Sequence, residues 1–309
     1  MPELSPIIER LRRPVGIAVV GRAGVGRSTV ADALRDRGVA VAVHAHAADV
    51  HVLVIAEEIK PEERVLAVTD RPTLIVLNKA DLTGSRSGGA LPNAHRRAAQ
   101  VRERTGTPTV AMVALLATTT ALDADLVDAL RTLVSTPADL ASVDAFSSGD
   151  HPVGRDVRTR LLERLDRFGI AHAVLALARG ADPVTLPTLL HRLSNVDAVL
   201  AALSAAAAPV RYRRLRAALA EIHSMAVQFN DERLFRLLDS DAAVLATMTA
   251  AVDVVKADGI PVDPGDHRDA HLRRAVQWQR YGRGPVDSLH RSCSVAITRG
   301  SLRLFDAGS

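Results

Sequence analysis

Residues 21–29 read GRAGVGRST. Glycines at 21, 24 and 26 let the chain take left-handed conformations, so that successive backbone N–H groups can face inward and hold an anion. An apolar stretch precedes this segment and a helical pattern follows it, which puts the N–H groups of the helix start on the same anion. The pattern that wraps phosphates, G-x-x-x-x-G-K-[ST], has lysine after the last glycine; this chain has Arg27. The guanidinium keeps the charge and can fork onto phosphate oxygens, although it is longer and planar. Gly21, Gly24, Val25, Gly26, Arg27, Ser28 and Thr29 are therefore the candidate phosphate-binding residues, and the Ser28 hydroxyl is the candidate metal ligand.

A second segment, LIVLNKADL, carries Asn78, Lys79 and Asp81 at the end of an apolar run. Asn78-Lys79-Ala80-Asp81 resembles N-K-x-D, the guanine-specificity motif of the P-loop GTPases. A carboxylate there accepts from the ring N–H and the exocyclic amine of guanine, whereas adenine would leave it unpaired. The resemblance implies that the Lys79 stem lies over the base and that Asn78 ties its loop to the phosphate loop. It further implies a later strand whose end supplies a backbone N–H to the guanine oxygen. Val113-Ala114-Leu115 occupies that place, with Ala114 and Leu115 as the guanine-binding candidates and without the family's serine.

The resemblance covers about residues 14–135 and implies GTP or GDP as ligand. The family also needs a switch threonine and a D-x-x-G segment to hold Mg²⁺ and position the attacking water. Only VAVAVHAHAA separates the first helix from Asp49, which starts the next strand; it contains no Thr, Asp or Gly. His44 falls where the D-x-x-G aspartate would be, and imidazole is a poor ligand for Mg²⁺. The expectation is a degenerate GTPase domain that binds guanine nucleotide and hydrolyses it slowly or not at all. Mg²⁺ is weakly supported, through Ser28 alone.

The elements that must position these residues follow from periodicity. Near-continuous apolar runs at 15–21, 39–45, 49–56, 72–78 and 108–117 read as strands buried on both faces. Helical patterns at 28–37, 61–68, 94–105 and 124–134 lie between or after them. This alternation predicts an α/β fold with a mostly parallel sheet and helices on both faces over residues 1–135, and the resemblance implies that it is P-loop NTPase-like. Residues 136–154, rich in Pro, Ser, Asp and Gly, read as a linker. From 155 to 309 strand signals vanish and six or seven helices are expected as an all-α bundle, with Asp182-Pro183 as a helix start and Gly180 and Gly259 as helix ends.

Composition narrows the partners. At 48% apolar and 3% aromatic residues, the core must be built from Ala, Val and Leu. The formal charge of +4 comes from arginine, with lysine only at 60, 79 and 256, and no basic cluster interleaves with aromatics. Nucleic acid and membrane surface are thus disfavoured. The basic amphipathic segment 210–223 reads as a solvated helix face, and Trp278 with Tyr281 as a core plug. A lone Cys293 and an N-terminus without an apolar signal core predict a cytoplasmic protein. His44, His46 and His51 lack the neighbours of a metal site, and His95 and Ser292 lack partners for nucleophilic catalysis. The expected partners are a guanine nucleotide and, through the helical half, a protein: a second copy of the chain or a complete GTPase. The alternatives are a structural scaffold without turnover and a slow, partner-activated GTPase.

Overall fold

A computed structural model describes residues 4–67, 70–84 and 89–307, and its chain divides into two compact units. One comprises residues 16–203; the other joins residues 1–15 to residues 204–309.

The first unit is α/β. Strands β1 (Ile17–Gly21), β2 (Val50–Ile55), β3 (Thr73–Leu77) and β4 (Thr109–Ala111) form a parallel sheet in the order β1-β2-β3-β4. The register aligns Ile17 with Val50, Val52 with Leu74 and Val76 with Val110. Consecutive residues Val52–Ile55 and Leu74–Leu77 are all buried, as in a sheet covered on both faces, which is why these strands read as unbroken apolar runs. Helices α2 (Arg27–Arg35), α3 (Pro61–Ala67), α4 (Ala90–Thr105) and α6 (Ala124–Ser135) match the four expected from periodicity. The last residue of the predicted 61–68 helix lies outside the described residues.

Two strand expectations are corrected. The run 39–45 forms a single parallel bridge, Ile17 to Val41, framed by Ile17 N–H to Ala40 O (2.9 Å) and Ala42 N–H to Ile17 O (2.7 Å). Nothing covers a longer strand there: Val43 is 91% exposed. The run 108–117 stops pairing after Ala111, because the Val113 N–H is taken by Ser194 O at 3.0 Å; Ala114–Ala117 then close into the short helix α5.

Residues 136–154 also differ from a free linker. They contain α7 (Val143–Ser148), capped by the Ser142 hydroxyl on the Ala145 N–H at 2.9 Å. Phe146 is fully buried in the same cluster as Leu116, Leu161 and Leu165. Arg158, itself buried, donates to the carbonyls of Phe146 and Gly149 and holds the segment down. Helices α8 (Arg155–Ala178) and α9 (Leu186–Ser194) add to this core, so the division falls within α10 (Val196–Phe229), between Leu203 and Ser204, and not at 136–154.

The second unit is all-α. Helix α1 (Ser5–Arg12) sets Ile7 against Ala218, Ile222, Ala226 and Leu234, so residues 1–15 belong to the helical unit and not to the sheet. Helices α12 (Asp241–Ala257), α13 (Arg268–Gly282) and α14 (Ser288–Ala307) enclose Trp278, Tyr212, Cys293 and Ile297. Trp278 meets Tyr281 ring to ring at 4.9 Å and is 1% exposed, a core plug in an aromatic-poor bundle. Burial pushes the Cys293 thiol up to about 11, so it behaves as a small core hydrophobe. No single helix among the described residues is long and apolar enough to cross a membrane.

Phe146→Ala is expected to cost about 3–5 kcal/mol, the loss typical of a fully buried phenylalanine. Denaturant unfolding followed by a probe in residues 16–203 measures it. A loss below about 1 kcal/mol would mean that residues 136–154 are a free linker after all.

Candidate functional site

Between β1 and β2 the chain first runs to one edge of β1, at Val41, and then returns through a 3-10 turn at Ala45–Ala47 to β2 on the other edge. This reversal opens a crevice beyond the carboxyl end of β1, where ligands of parallel sheets bind. The last residue of β1 and the segments after β1, β3 and β4 carry the twelve candidate residues, and all lie at this same edge.

Gly21 and Gly26 are required there by space. A Cβ on Gly21, at φ +144°, would lie 2.4 Å from Val54 O; one on Gly26, at φ +85°, would lie 2.4 Å from Asn78 Nδ2. Gly26 is the left-handed cap from which α2 starts, and Val25 beside it is buried. Arg27 and Ser28 are exposed and Thr29 half-buried at the first turn. The Arg27 side chain has no partner among the described residues. Gly24, Gly26, Arg27, Ser28, Thr29 and Lys79 line an open depression of 740 Å³. Its chemistry is that of an anion cradle: first-turn N–H groups of α2, an unneutralised guanidinium and an ammonium.

Asn78 follows β3 and is 3% exposed. Its Nδ2 donates to Val25 O at 2.9 Å, and its Oδ1 accepts from the Ala114 N–H at 3.0 Å. One amide therefore joins the glycine loop to the segment after β4. Lys79 takes the left-handed conformation at φ 56°, turns the chain and leaves its side chain exposed. Ala80 N–H donates to Met112 O at 3.1 Å, fixing the 3-10 turn that carries Asp81. Asp81 is half-buried. Desolvation holds its carboxyl above the usual carboxylate range, helped by the like charge of Asp166; its own backbone N–H, Lys79 and Arg167 act the other way.

The Ala114 N–H, one of the two donors expected to face a base, donates to Asn78 Oδ1. The Leu116 N–H closes back on Val113 O at 3.2 Å. Leu115, half-buried between them, is the remaining donor position of that turn.

The structure adds Glu63, Arg22 and Asp166. Glu63 is fully buried; its Oε1 accepts from Arg22 Nε at 2.7 Å and its Oε2 from the Lys60 N–H at 2.9 Å. The brace joins the glycine loop to the start of α3, and the Glu63 hydrogen bond raises the Arg22 pKa. Its signal is legible: Lys60-Pro61-Glu62-Glu63 is a helix start with proline in the first position and glutamate reaching back from the third. Asp166 interrupts α8 at φ 51°, ψ 176°, a conformation strained by about 1–3 kcal/mol. No pattern in the sequence marks it.

The set-aside residues have structural surroundings. His44 and His46 stack with centroids 5.4 Å apart, on either side of Ala45 and not on one strand face. His51 Nε2 meets Ala45 O at 3.3 Å. Ser292 is shared between the Tyr212 hydroxyl (2.8 Å) and Arg216 (2.7 Å). His95 Nε2 meets Asn195 Nδ2 at 3.5 Å. Comparisons with models of protein families, with curated proteins and with solved structures found no match.

Asn78→Ala strands a buried carbonyl and a buried N–H, each worth about 1–3 kcal/mol when left unpaired. Gly26→Ala is expected to destabilise more than Gly24→Ala, since a Cβ at Gly24 meets nothing within 4 Å while one at Gly26 displaces Asn78. Thermal melts of the three variants test this ordering; equal losses at both glycines would remove Asn78 as the joint.

Proposed function

We propose that this chain binds guanine nucleotide through a degenerate P-loop GTPase domain and acts as a regulatory or assembly module with little intrinsic hydrolysis. The observation that carries this reading is the Asn78 amide, bonded at once to Val25 O and to the Ala114 N–H. It brings the anion cradle at Gly26–Thr29 and the carboxylate of Asp81 to one edge of the sheet, as recognition of a phosphorylated base requires. Phosphates would sit on the α2 N-terminus with Arg27, the base beneath the Lys79 stem with its N–H groups on Asp81. The Leu115 N–H would face its oxygen. Ser28 would be the one Mg²⁺ ligand from the glycine loop. The proposed setting is the cytoplasm, with a protein partner read by the helical unit.

Little turnover is expected because the chain between α2 and β2 holds one bridge and a 3-10 turn where switch elements would be. The structural-scaffold reading also has an observation in its favour: the Ala114 N–H is already satisfied without a ligand.

Calorimetry with GDP, GTP and ATP separates the two. Guanine nucleotides should bind in preference to ATP. Asp81→Asn should weaken GDP by about 1.5–3 kcal/mol, the worth of a hydrogen bond to a charged group, and improve xanthine nucleotides. Equal affinity for ATP and GTP would sink the base assignment.

The same titration has a pH signature. Only ionised Asp81 accepts both guanine N–H groups, and its pKa is raised. Affinity should be full well above that pKa and fall as the pH drops through it, starting above the range of an exposed carboxylate. Asp81→Asn should flatten the profile.

Single-turnover phosphate release should stay below the ~10⁻⁴ s⁻¹ of an unassisted complete GTPase, and Arg27→Lys should not restore it. A faster wild-type rate would show that catalytic parts exist elsewhere.

A further inference from the structure

A second depression, of 540 Å³, adjoins the anion cradle and shares Ala23, Gly24 and Lys79 with it. Its other walls come from the glycine loop, from the segments after β2 and β3 and from α4, which bring Arg22, Glu57, Lys60 and Arg97 to the same space. Its size is that of a small-molecule site.

The charges are unbalanced. Arg22 is spent on Glu63. The charged ends of Lys60, Lys79 and Arg97 have no hydrogen-bond or ion-pair partner among the described residues. Residues 85–88, next to this wall in sequence, are Ser, Arg, Ser and Gly, none of them an anion. Elsewhere in the same unit arginines do find carboxylates, as in Arg35 with Asp32, Arg131 with Asp128 and Arg160 with Asp123. Arg22 is also near Glu57 and Glu62, and Lys79 acts on Asp81, but the ends of Lys60, Lys79 and Arg97 face the cavity without an ion pair among the described residues. Like charges held together repel, and a bound polyanion relieves that cost.

The walls are also fixed. Glu63 takes the Lys60 N–H at 2.9 Å and holds the start of α3. The Thr83 hydroxyl reaches Ala80 O at 2.7 Å and Ala90 O at 2.8 Å, and Asn93 Nδ2 reaches Gly84 O at 2.8 Å, which ties the turn after β3 to α4.

We propose that this depression is a second anion site, adjoining the cradle on α2 and sharing Lys79 with it, that takes the diphosphate group of a small molecule on Lys60, Lys79 and Arg97. A guanidinium fork and two ammonium groups exceed what one carboxylate can satisfy, while a diphosphate offers enough non-bridging oxygens for all three. The proposal does not depend on the identity of any base at Asp81.

Pyrophosphate is the probe, titrated by calorimetry into the nucleotide-stripped full chain, with sulfate at matched ionic strength as control. Wild type should bind two pyrophosphates. Lys60→Gln with Arg97→Gln, which keeps most of each stem, should lose one of them or weaken it at least tenfold. Its melting temperature should not fall, since neither charged end has a partner to lose. Arg27→Ala should weaken the other pyrophosphate and spare this one. One pyrophosphate, sensitive to Lys60 and Arg97 but not to Arg27, would still support the second site and count against the cradle. Pyrophosphate uptake unchanged in the Lys60/Arg97 double variant, or none above sulfate, would overturn the proposal. Loss of guanine discrimination with the pyrophosphate result intact would overturn only the nucleotide reading.

Discussion

The carboxyl edge of the sheet depends on one buried side-chain amide. Asn78 offers its N–H to Val25 O and its oxygen to the Ala114 N–H, so the segments after β1, β3 and β4 are joined through a single residue. The neighbouring features follow from that bond. Gly26 has no Cβ because the amide lies where the Cβ would be. Val25 is buried beneath it, and Lys79 must turn left-handed to leave the joint. A buried amide of this kind costs free energy unless both ends are satisfied, and here both are. Aspartate could not donate to Val25 O, and leucine could serve neither end.

Glu63 is the complementary brace on the β2 side. Its carboxylate is fully buried, a position tolerated only with strong partners, and it has Arg22 and the Lys60 N–H. The two braces hold the glycine loop from both flanks. The other edge of β1, by contrast, carries one bridge at Val41 and an exposed Val43. Rigidity is thus concentrated where a ligand would be gripped, and little chain is left where catalytic segments would move. This asymmetry supports the proposal of a site that binds with little turnover.

Much of this was legible in the sequence. β2 and β3 are buried on both faces, so they appear as apolar runs, and the Asn78–Asp81 segment at the end of β3 locates the edge. The glycine spacing at 21, 24 and 26 locates the loop. Four things were hidden for tertiary reasons. Apolar residues at 39–45 meet too little cover to form a strand. The Pro- and Ser-rich segment 136–154 conceals Phe146, whose burial depends on α8, and the tie to Arg158. The Ala114 N–H looked available because its partner, Asn78, is 36 residues away. The grouping of residues 1–15 with the helical unit likewise rests on contacts such as Ile7 with Ala218 and Ile222, which no local pattern encodes.

The most direct test of the central claim is a backbone amide map of the ¹⁵N-labelled full chain titrated with GDP and, separately, with ADP. The account predicts that GDP shifts the amides of Gly24, Gly26, Arg27, Lys79, Asp81 and Leu115 together. It predicts that the Ala114 amide stays bonded to Asn78, and that ADP leaves Asp81 and Leu115 unmoved. GDP shifts that gather elsewhere, or that are reproduced by ADP at Asp81, would contradict it.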